Sequence, residues 1–345
     1  MNFISDNAYG AAPEILEALE KVNDGAVAPY GEDEITAQAV DRLSELFERK
    51  VAAFPVLTGT AANALALGTI TPSYGAIFCH EESHLAVDEC GAPEFFSGGA
   101  RLVQLKGDGA KITPDEVSRH LPLYRRGVHG SQPAAISIAQ ATEYGLVYTP
   151  QEISALADLA HPEGMALHMD GARFANALAY LGGTPAEVTW KAGVDVMSFG
   201  ATKNGALCAE AVVFFNEDLV RDFEYRRKRA GHLLSKMRFV SAQLNAYLAD
   251  GRWLDWARRA NGVARRLAQE LGQIPGVELT VPVEANEVFA QMPDELIARL
   301  RGEGAQFYDW SESQDGRKVV RLVLSCLTPA EDISRFLAVA RKRPD

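Results

Sequence analysis

The chain has 345 residues, of which 47% are apolar and 23% charged, and its formal net charge is -12. This composition is typical of a globular protein with one large domain and one smaller domain, and its acidity argues against a general nucleic-acid binder, for which a basic face is expected. It contains no apolar run of about 18 residues and no charged-then-apolar leader, which predicts a cytoplasmic protein without a membrane span or export signal.

Short apolar runs alternate with helix-like segments from about residue 50 to residue 216. Strands that alternate with helices require crossover connections, so the pattern predicts an α/β fold. We expect a mostly parallel seven-stranded sheet that is sandwiched by helices. The predicted strands lie at 52–57, 75–79, 100–105, 134–139, 165–169, 194–199 and 209–215.

Four Thr-Pro-x-Glu segments predict the starts of helices. In each, threonine is the expected N-cap, proline the first helical residue and glutamate the third, which together form a capping box. We interpret them as structural signals without a chemical role. They begin at Thr113, Thr149, Thr184 and Thr328.

The C-terminal third of the chain has a different pattern. A long helical stretch, roughly 217–272, carries the basic cluster YRRKR at 225–229. Strand-like segments (VELTVPV at 277–283, AQFYDW at 305–310 and KVVRLVLS at 318–325), the helical segment DELIARLRGEG at 294–304 and a final helix then predict a small α+β domain. We therefore predict a large domain at 1–250, which includes an N-terminal arm and helix, and a small domain at 251–345.

Small residues follow the first predicted strand, and a helix-like segment comes next. This stretch, Thr58 to Asn63, has the sequence TGTAAN. A helix that begins in this way offers free N–H groups and the positive end of its dipole, which suit a phosphate. A tight strand-to-helix turn needs the same residues, so this motif alone leaves both interpretations open.

The second predicted strand is followed by His80-Glu81-Glu82-Ser83-His84. This sequence matches the H-E-x-x-H motif of zinc metallopeptidases, which requires both histidines on one helix. Because His80 comes directly off a strand, we expect the match to be accidental and no metal to be bound. His84 is instead suited to stack on a planar ligand or to move protons. The widely spaced cysteines also predict neither a disulfide framework nor structural zinc.

Two charged residues follow later strands. Asp170 directly follows the predicted strand at 165–169. A carboxylate that is buried there needs a cation, which is either Arg173 or a protonated ring nitrogen of a ligand. Lys203 follows the next strand, with Asp195 and Glu210 as its charged neighbours in the sequence. A lysine here is either a solvated turn residue or a nucleophilic amine for carbonyl groups.

These features combine into the components of a pyridoxal 5'-phosphate (PLP) site: a phosphate cradle, a stacking side chain, an acid for a pyridine nitrogen and an imine-forming lysine. The sequence also resembles the low-specificity L-threonine aldolases, which are fold-type I PLP enzymes of the aspartate aminotransferase-like superfamily. The resemblance covers nearly the whole chain. It rests on Ser5-Asp6-Asn7, Tyr30-Gly31-Glu32-Asp33, TGTAAN at 58–63, His84, HMDGAR at 168–173 and RLVLS at 321–325.

The resemblance implies roles for the matching residues. Lys203 would form the Schiff base, Asp170 would pair with the pyridine nitrogen and His84 would stack on the ring. The phosphate would be bound by Gly59 and Thr60. The resemblance also implies further ligands of the cofactor (Arg173, Arg229 and Lys236) and of the substrate (Ser5, Tyr30, Arg173 and Arg321).

The resemblance further implies a homotetramer, a dimer of dimers with active sites at subunit interfaces. Arg229 and Lys236 would reach the phosphate from a neighbouring subunit. The implied reaction is retro-aldol cleavage of L-threonine, L-allo-threonine and related β-hydroxy-α-amino acids, including phenylserine, to glycine and an aldehyde. Transamination, β-elimination and PLP binding without turnover are the alternatives.

Two departures from the family pattern concern the substrate side of the site. Many members have Ser-Lys-Gly where this chain has Thr202-Lys203-Asn204, and many have a histidine in the loop where this chain has Ala141-Thr142-Glu143-Tyr144. The base that removes the β-hydroxyl proton is therefore open between His84, Glu143 and a water molecule.

Overall fold

The computed structural model describes residues 1–342 and contains two sheets. In the larger sheet the spatial order is β1-β7-β6-β5-β4-β2-β3. Strand β7 is antiparallel to both neighbours and the other pairs are parallel, so the predicted mostly parallel seven-stranded sheet is confirmed. The strands are β1 (Ala52–Val56), β2 (Gly75–His80), β3 (Arg101–Leu105), β4 (Gln132–Ala139), β5 (Ala166–Gly171), β6 (Val196–Gly200) and β7 (Glu210–Phe214).

Helices cover both faces of this sheet. On one face α3 is buried on all sides, as its apolar sequence ALALGTI requires, and it packs on α5 and on the central strands. On the other face the core includes residues of α2, α6, α7, α8 and α10. The helices of the large sheet's layers are α1 (Pro13–Lys21), α2 (Glu34–Leu46), α3 (Gly59–Ile70), α4 (His84–Val87), α5 (Ala92–Ser97), α6 (Pro114–Tyr124), α7 (Pro150–Ala160), α8 (Phe174–Leu181), α9 (Phe223–Arg229), α10 (Arg238–Leu248) and α11 (Arg252–Leu271).

The smaller sheet has the order β10-β11-β9-β8 and is antiparallel. It has its own apolar core, to which Phe3 of the N-terminal arm and the end of α11 contribute. The boundary between residues 250 and 251 stays a prediction, and residues 343–345 of the predicted small domain lie outside the described residues. The elements are β8 (Glu278–Leu279), β9 (Glu287–Pro293), α12 (Asp294–Gly302), β10 (Tyr308–Asp309), β11 (Arg317–Val323) and α13 (Ala330–Ala340).

The predicted capping boxes are only partly realised. Thr149 and Glu152 form the complete reciprocal box of α7, and Thr113 caps α6. At Thr184 the reciprocal hydrogen bonds with Glu187 are present, but the chain forms a turn that leads into a short 3₁₀ helix, Trp190–Ala192, and no α-helix begins there. At the last site Pro329 is the N-cap of α13, because the hydroxyl of Thr328 accepts the N–H of Ser325 instead.

The stretch 217–272 is not one helix. It contains α9, α10 and α11, with Gly231 and Gly251 between them in left-handed conformations that glycine adopts without strain. None of the helices in residues 1–342 is long and apolar enough to cross a membrane.

Candidate active site

A cavity of about 740 Å³ lies at the carboxyl ends of the central strands. This is where ligands bind in open α/β sheets. The N-terminal arm and the small sheet supply its other walls. The cavity brings together most of the predicted site residues: Ser5, Gly59, Thr60, His84, Asp170, Arg173, Lys203 and Arg321.

The start of α3 forms one end of the cavity. Thr58 caps the helix by accepting the N–H of Ala61 at 3.2 Å, which leaves the N–H groups of Gly59 and Thr60 for a ligand. A side chain added at Gly59 would meet no heavy atom within 4 Å, so the space in front of this helix end is open. The geometry therefore suits an anion at the positive end of the helix dipole.

Asp170 lies at the end of β5, buried, with 7% of its surface exposed. In the described part of the chain its carboxylate accepts two hydrogen bonds, from the side-chain amide of Asn63 at 2.7 Å and from the N–H of Ala172 at 3.0 Å. The alternative of an internal ion pair with Arg173 is wrong, because Arg173 turns to Asp6. Asp170 is thus a buried anion that faces the cavity and pairs with no arginine there.

His84 begins α4, and a second carboxylate holds its ring. Its Nδ1 lies 2.8 Å from Oε1 of Glu89, and this hydrogen bond raises the pKa of His84. Burial raises the pKa of Glu89. The amide of Asn63 also donates to Glu89 at 2.8 Å. The side-chain amide of Asn63 therefore donates both to Asp170 and to Glu89, the carboxylate that holds His84.

Lys203 lies in a short 3₁₀ turn that follows β6. Asn204 donates to the hydroxyl of Tyr247 and to the carbonyl of Trp253, both at 2.8 Å, and Gly205 closes the turn with a φ of 108°. Asn204, which stands where the family pattern Ser-Lys-Gly has glycine, therefore anchors the turn that carries Lys203 in the core. Glu210 of β7 lines the same cavity, and burial raises its pKa to about 7.

Two arginines, Arg173 and Arg321, line the cavity, and each lies near a buried acid. Arg173 donates to both oxygens of Asp6, at 2.8 and 3.1 Å. Burial alone would raise the pKa of Asp6, but Arg173 outweighs it and the pKa is lowered. Glu287 lies 3.6 Å from Arg173 and 3.9 Å from Arg321, and burial raises its pKa. Arg321 therefore lies near the carboxylate of Glu287, which it shares with Arg173. Arg173 in addition already donates two hydrogen bonds to Asp6.

The small sheet places Arg321 at the cavity. Its guanidinium lies 4.7 Å from the centre of the Trp310 ring, and burial lowers its pKa. Its Nε is buried and has no hydrogen-bond partner among the described residues. A stacked guanidinium with an unsatisfied donor is suited to bind a carboxylate.

Three predicted site residues do not line this cavity. Tyr30 is 45% exposed and lies under the ammonium of Lys228 at 4.5 Å. Arg229 and Lys236 are also exposed. Their assignment to a neighbouring subunit stays a prediction.

The H-E-x-x-H match does not form a zinc-binding helix. His80 ends β2, with its ring 2.9 Å from the carbonyl of Gly107 and accepting the N–H of Glu82, while His84 begins α4. The two histidines therefore lie on different elements. Among residues 1–342 no group of three or more His, Cys, Asp or Glu side chains could hold a metal ion.

Sequence reasoning missed several residues of the site. Asn63 follows Gly59 by one helical turn, so its position on the same face of α3 was a usable signal. Glu287 and Trp310 come from the small sheet, where no local pattern indicates the cavity. Asp6 was part of a quoted motif but received no role.

The residues of this cavity have the chemical features that PLP binding requires. The open end of α3 suits the phosphate, the buried Asp170 lacks the cation that a protonated ring nitrogen supplies, and Lys203 lies in the same cavity. His84 is positioned on the cavity wall with its ring fixed by Glu89. These are the four chemical components that the cofactor requires.

The fold and the site together define a class of protein. A model of the beta-eliminating lyase family matches residues 2–295, and the chain belongs to this family. The proteins of this family are PLP-dependent.

Two relatives and one solved structure show which proteins the chain is similar to. The chain is 48% identical to the low specificity L-threonine aldolase of Pseudomonas sp. (strain NCIMB 10558), with 91% of each chain covered, and 47% identical to that of Pseudomonas aeruginosa, with 89% and 88% covered. The solved structure of the Leishmania major threonine aldolase superimposes with a TM-score of 0.93 at 26% identity, over 99% of this chain and 98% of that one. The predicted resemblance to the L-threonine aldolases is confirmed.

Proposed function

We propose that the protein cleaves L-threonine, L-allo-threonine and related β-hydroxy-α-amino acids, including phenylserine, to glycine and an aldehyde, with PLP as cofactor. One observation carries the proposal: a single cavity contains a lysine, a buried carboxylate without an arginine partner, an open helix start and a stacked arginine. The relatives named above support the choice of substrate.

The chain's own residues would hold PLP at defined points. Gly59 and Thr60 bind the phosphate, His84 stacks on the ring, Asp170 pairs with the ring nitrogen and Lys203 supplies the amine that links the cofactor. When bound, PLP supplies an electron sink for the carbon next to the amino group. The family resemblance adds Arg173 to this set.

The substrate carboxylate needs a cationic partner, and Arg321 is the better placed of the two arginines. Its Nε has no partner in the described chain, whereas Arg173 is engaged by Asp6. Ser5 lines the same cavity. Anchoring the carboxylate here orients the bond between Cα and Cβ for cleavage.

Replacing Arg321 with alanine should raise KM for threonine by roughly 10- to 100-fold, since a hydrogen bond to a charged group is worth about 1.5–3 kcal/mol. Arg317 is a half-buried arginine on the same strand that also has a buried, unpartnered Nε, but it lies outside the cavity and donates to the carbonyl of Gly276. Arg317→Ala should therefore leave KM within a factor of about two. Steady-state kinetics on both variants measures the difference. Equal KM values for Arg321→Ala and the wild type would remove Arg321 from the substrate site.

We also propose that the protein is a homotetramer and that it is cytoplasmic. Tyr30, Arg229 and Lys236 lie outside the cavity of their own chain, and the resemblance assigns the last two to the phosphate of a neighbouring subunit. Sedimentation equilibrium tests the tetramer.

The products distinguish this proposal from its rivals. Aldol cleavage of threonine gives glycine and acetaldehyde, whereas β-elimination and transamination give keto acids. The family model's description keeps β-elimination as the second candidate. The experiment incubates purified, PLP-loaded protein with L-threonine and quantifies glycine, acetaldehyde and keto acid. Equal amounts of glycine and acetaldehyde are expected, and keto acid as the main product would contradict the proposal.

A further inference from the structure

Glu143 lies in the loop that follows β4 and lines the cavity. Its Oε1 accepts a hydrogen bond from the N–H of His84 at 2.8 Å, which fixes the carboxylate against the start of α4. Its Oε2 is closed to solvent and has no hydrogen-bond partner among the described residues. A buried carboxylate oxygen without a partner is costly, so a ligand hydroxyl that donates to it would be bound favourably.

We propose that Glu143 is the catalytic base that accepts the β-hydroxyl proton of the substrate. This role rests on the aldol cleavage proposed above. The hydroxyl proton moves to Oε2, the Cβ–O bond becomes the aldehyde carbonyl, and the bond between Cα and Cβ breaks. The electron pair stays with Cα, which then takes up a proton, and Glu143 gives its own to water that enters when the aldehyde leaves, so glycine and aldehyde together contain all atoms of the substrate.

The other acids and bases of the cavity are less suited to this step. His84 is proposed to stack on the cofactor ring, and its Nδ1 is engaged by Glu89. Glu82 accepts the hydroxyl of Tyr144 at 3.2 Å. Glu210 lies on β7, next to the lysine turn. Glu143 combines a carboxylate that is fixed by the N–H of His84 with an unsatisfied oxygen, on a side chain that lines the cavity.

The protonation of Glu143 suits a base that works near neutral pH. Burial raises its pKa to about 7, and the N–H of His84 acts in the opposite direction. A base must be ionised to accept a proton, so the rate should fall as the pH drops through this pKa. The groups that face Glu143 from the surrounding elements are Asp170, Glu287, Arg173, Cys79, Tyr148 and the ring of His84.

The test replaces Glu143 with glutamine, whose amide oxygen can still accept the N–H of His84. For threonine cleavage kcat should fall by about 10²- to 10³-fold, with KM within a few-fold, because a general base contributes on that scale. The acidic limb of the pH–rate profile should disappear, and Glu143→Asp should retain part of the rate. Glu284, which accepts the N–H of Val147 outside the cavity, is the matched control, and Glu284→Gln should keep both rate and profile.

Infrared difference spectroscopy gives a readout that does not depend on turnover. Titration of the protein, with and without PLP, should reveal protonated carboxyl bands of Glu143 and Glu210 that are lost near pH 7 in the wild type. Glu143→Gln should lack the Glu143 band and keep the Glu210 band, and Glu210→Gln should show the reverse. Unchanged kcat, pH profile and infrared titration in Glu143→Gln, with aldehyde still released by the wild type, would overturn this role alone. A wild-type protein that releases no aldehyde would overturn the aldolase function and this role with it.

Discussion

Replacing Lys203 with alanine should lower kcat for threonine cleavage by roughly 10³-fold or more, because the variant loses the amine that attaches the cofactor and exchanges with the substrate. The lysine lies in the cavity, at the end of β6, on a turn anchored by Asn204. Steady-state assays measure the rate. Borohydride reduction followed by mass spectrometry should find cofactor on Lys203 in the wild type and none in the variant.

The control for this experiment is Lys191→Ala. Lys191 is an exposed lysine that pairs with Glu48 at 2.6 Å, away from the cavity. Such a surface pair contributes at most about 1 kcal/mol, so activity should be unchanged. Normal glycine production by Lys203→Ala would return Lys203 to an ordinary turn lysine and end the PLP assignment.

The large sheet could be predicted from sequence because most of its strands are buried on both faces. Such strands are short, continuous apolar runs, and glycine or polar residues end each one. The strand β9 was missed, since Asn286 and Glu287 interrupt its apolar pattern. Glu287 is nonetheless buried, because it lies between two arginines. The predicted strand VELTVPV at 277–283 pairs only over β8, and Pro282 cannot donate to a ladder.

The helices show where local signals are insufficient. At Thr184 the capping hydrogen bonds form without an α-helix, because a cap fixes only the first turn and a longer helix needs an apolar face to pack. Arg227 belongs to the basic cluster YRRKR, yet it is buried and lies 5.9 Å from the Phe54 ring. Its burial depends on the tertiary fold and has no signature in YRRKR.

The residues of the candidate site also fall into those that could be predicted from sequence and those that depend on the tertiary fold. Asp170, Lys203 and the TGTAAN segment could be placed together from sequence because they follow strands whose carboxyl ends share one edge of the sheet. Asp6 and Trp310 approach from the arm and the small sheet, so their contacts depend on long-range packing. Glu89 was missed because its partners, Asn63 and His84, meet it only after α4 turns back toward α3.

Replacing Asp170 with asparagine should lower kcat by about 10²- to 10³-fold, a cost typical of removing one preorganised electrostatic contact. The variant keeps the shape of the side chain but loses the charge that holds a ring nitrogen protonated, so the electron sink weakens while the cofactor still binds. Steady-state kinetics measures the rate, and PLP titration measures the cofactor's affinity.

The stability of the cofactor-free protein separates this role from a structural one. In the described chain Asp170 is buried with two hydrogen bonds and no arginine partner, so a protonated ring nitrogen would add an ion pair that the cofactor-free protein lacks. Asp170→Asn should therefore leave the thermal midpoint of the cofactor-free protein unchanged or raise it, and should reduce the extra stabilisation that PLP provides. A lower midpoint without PLP, together with an unchanged kcat, would make Asp170 a structural residue and leave the ring nitrogen without a partner in this cavity.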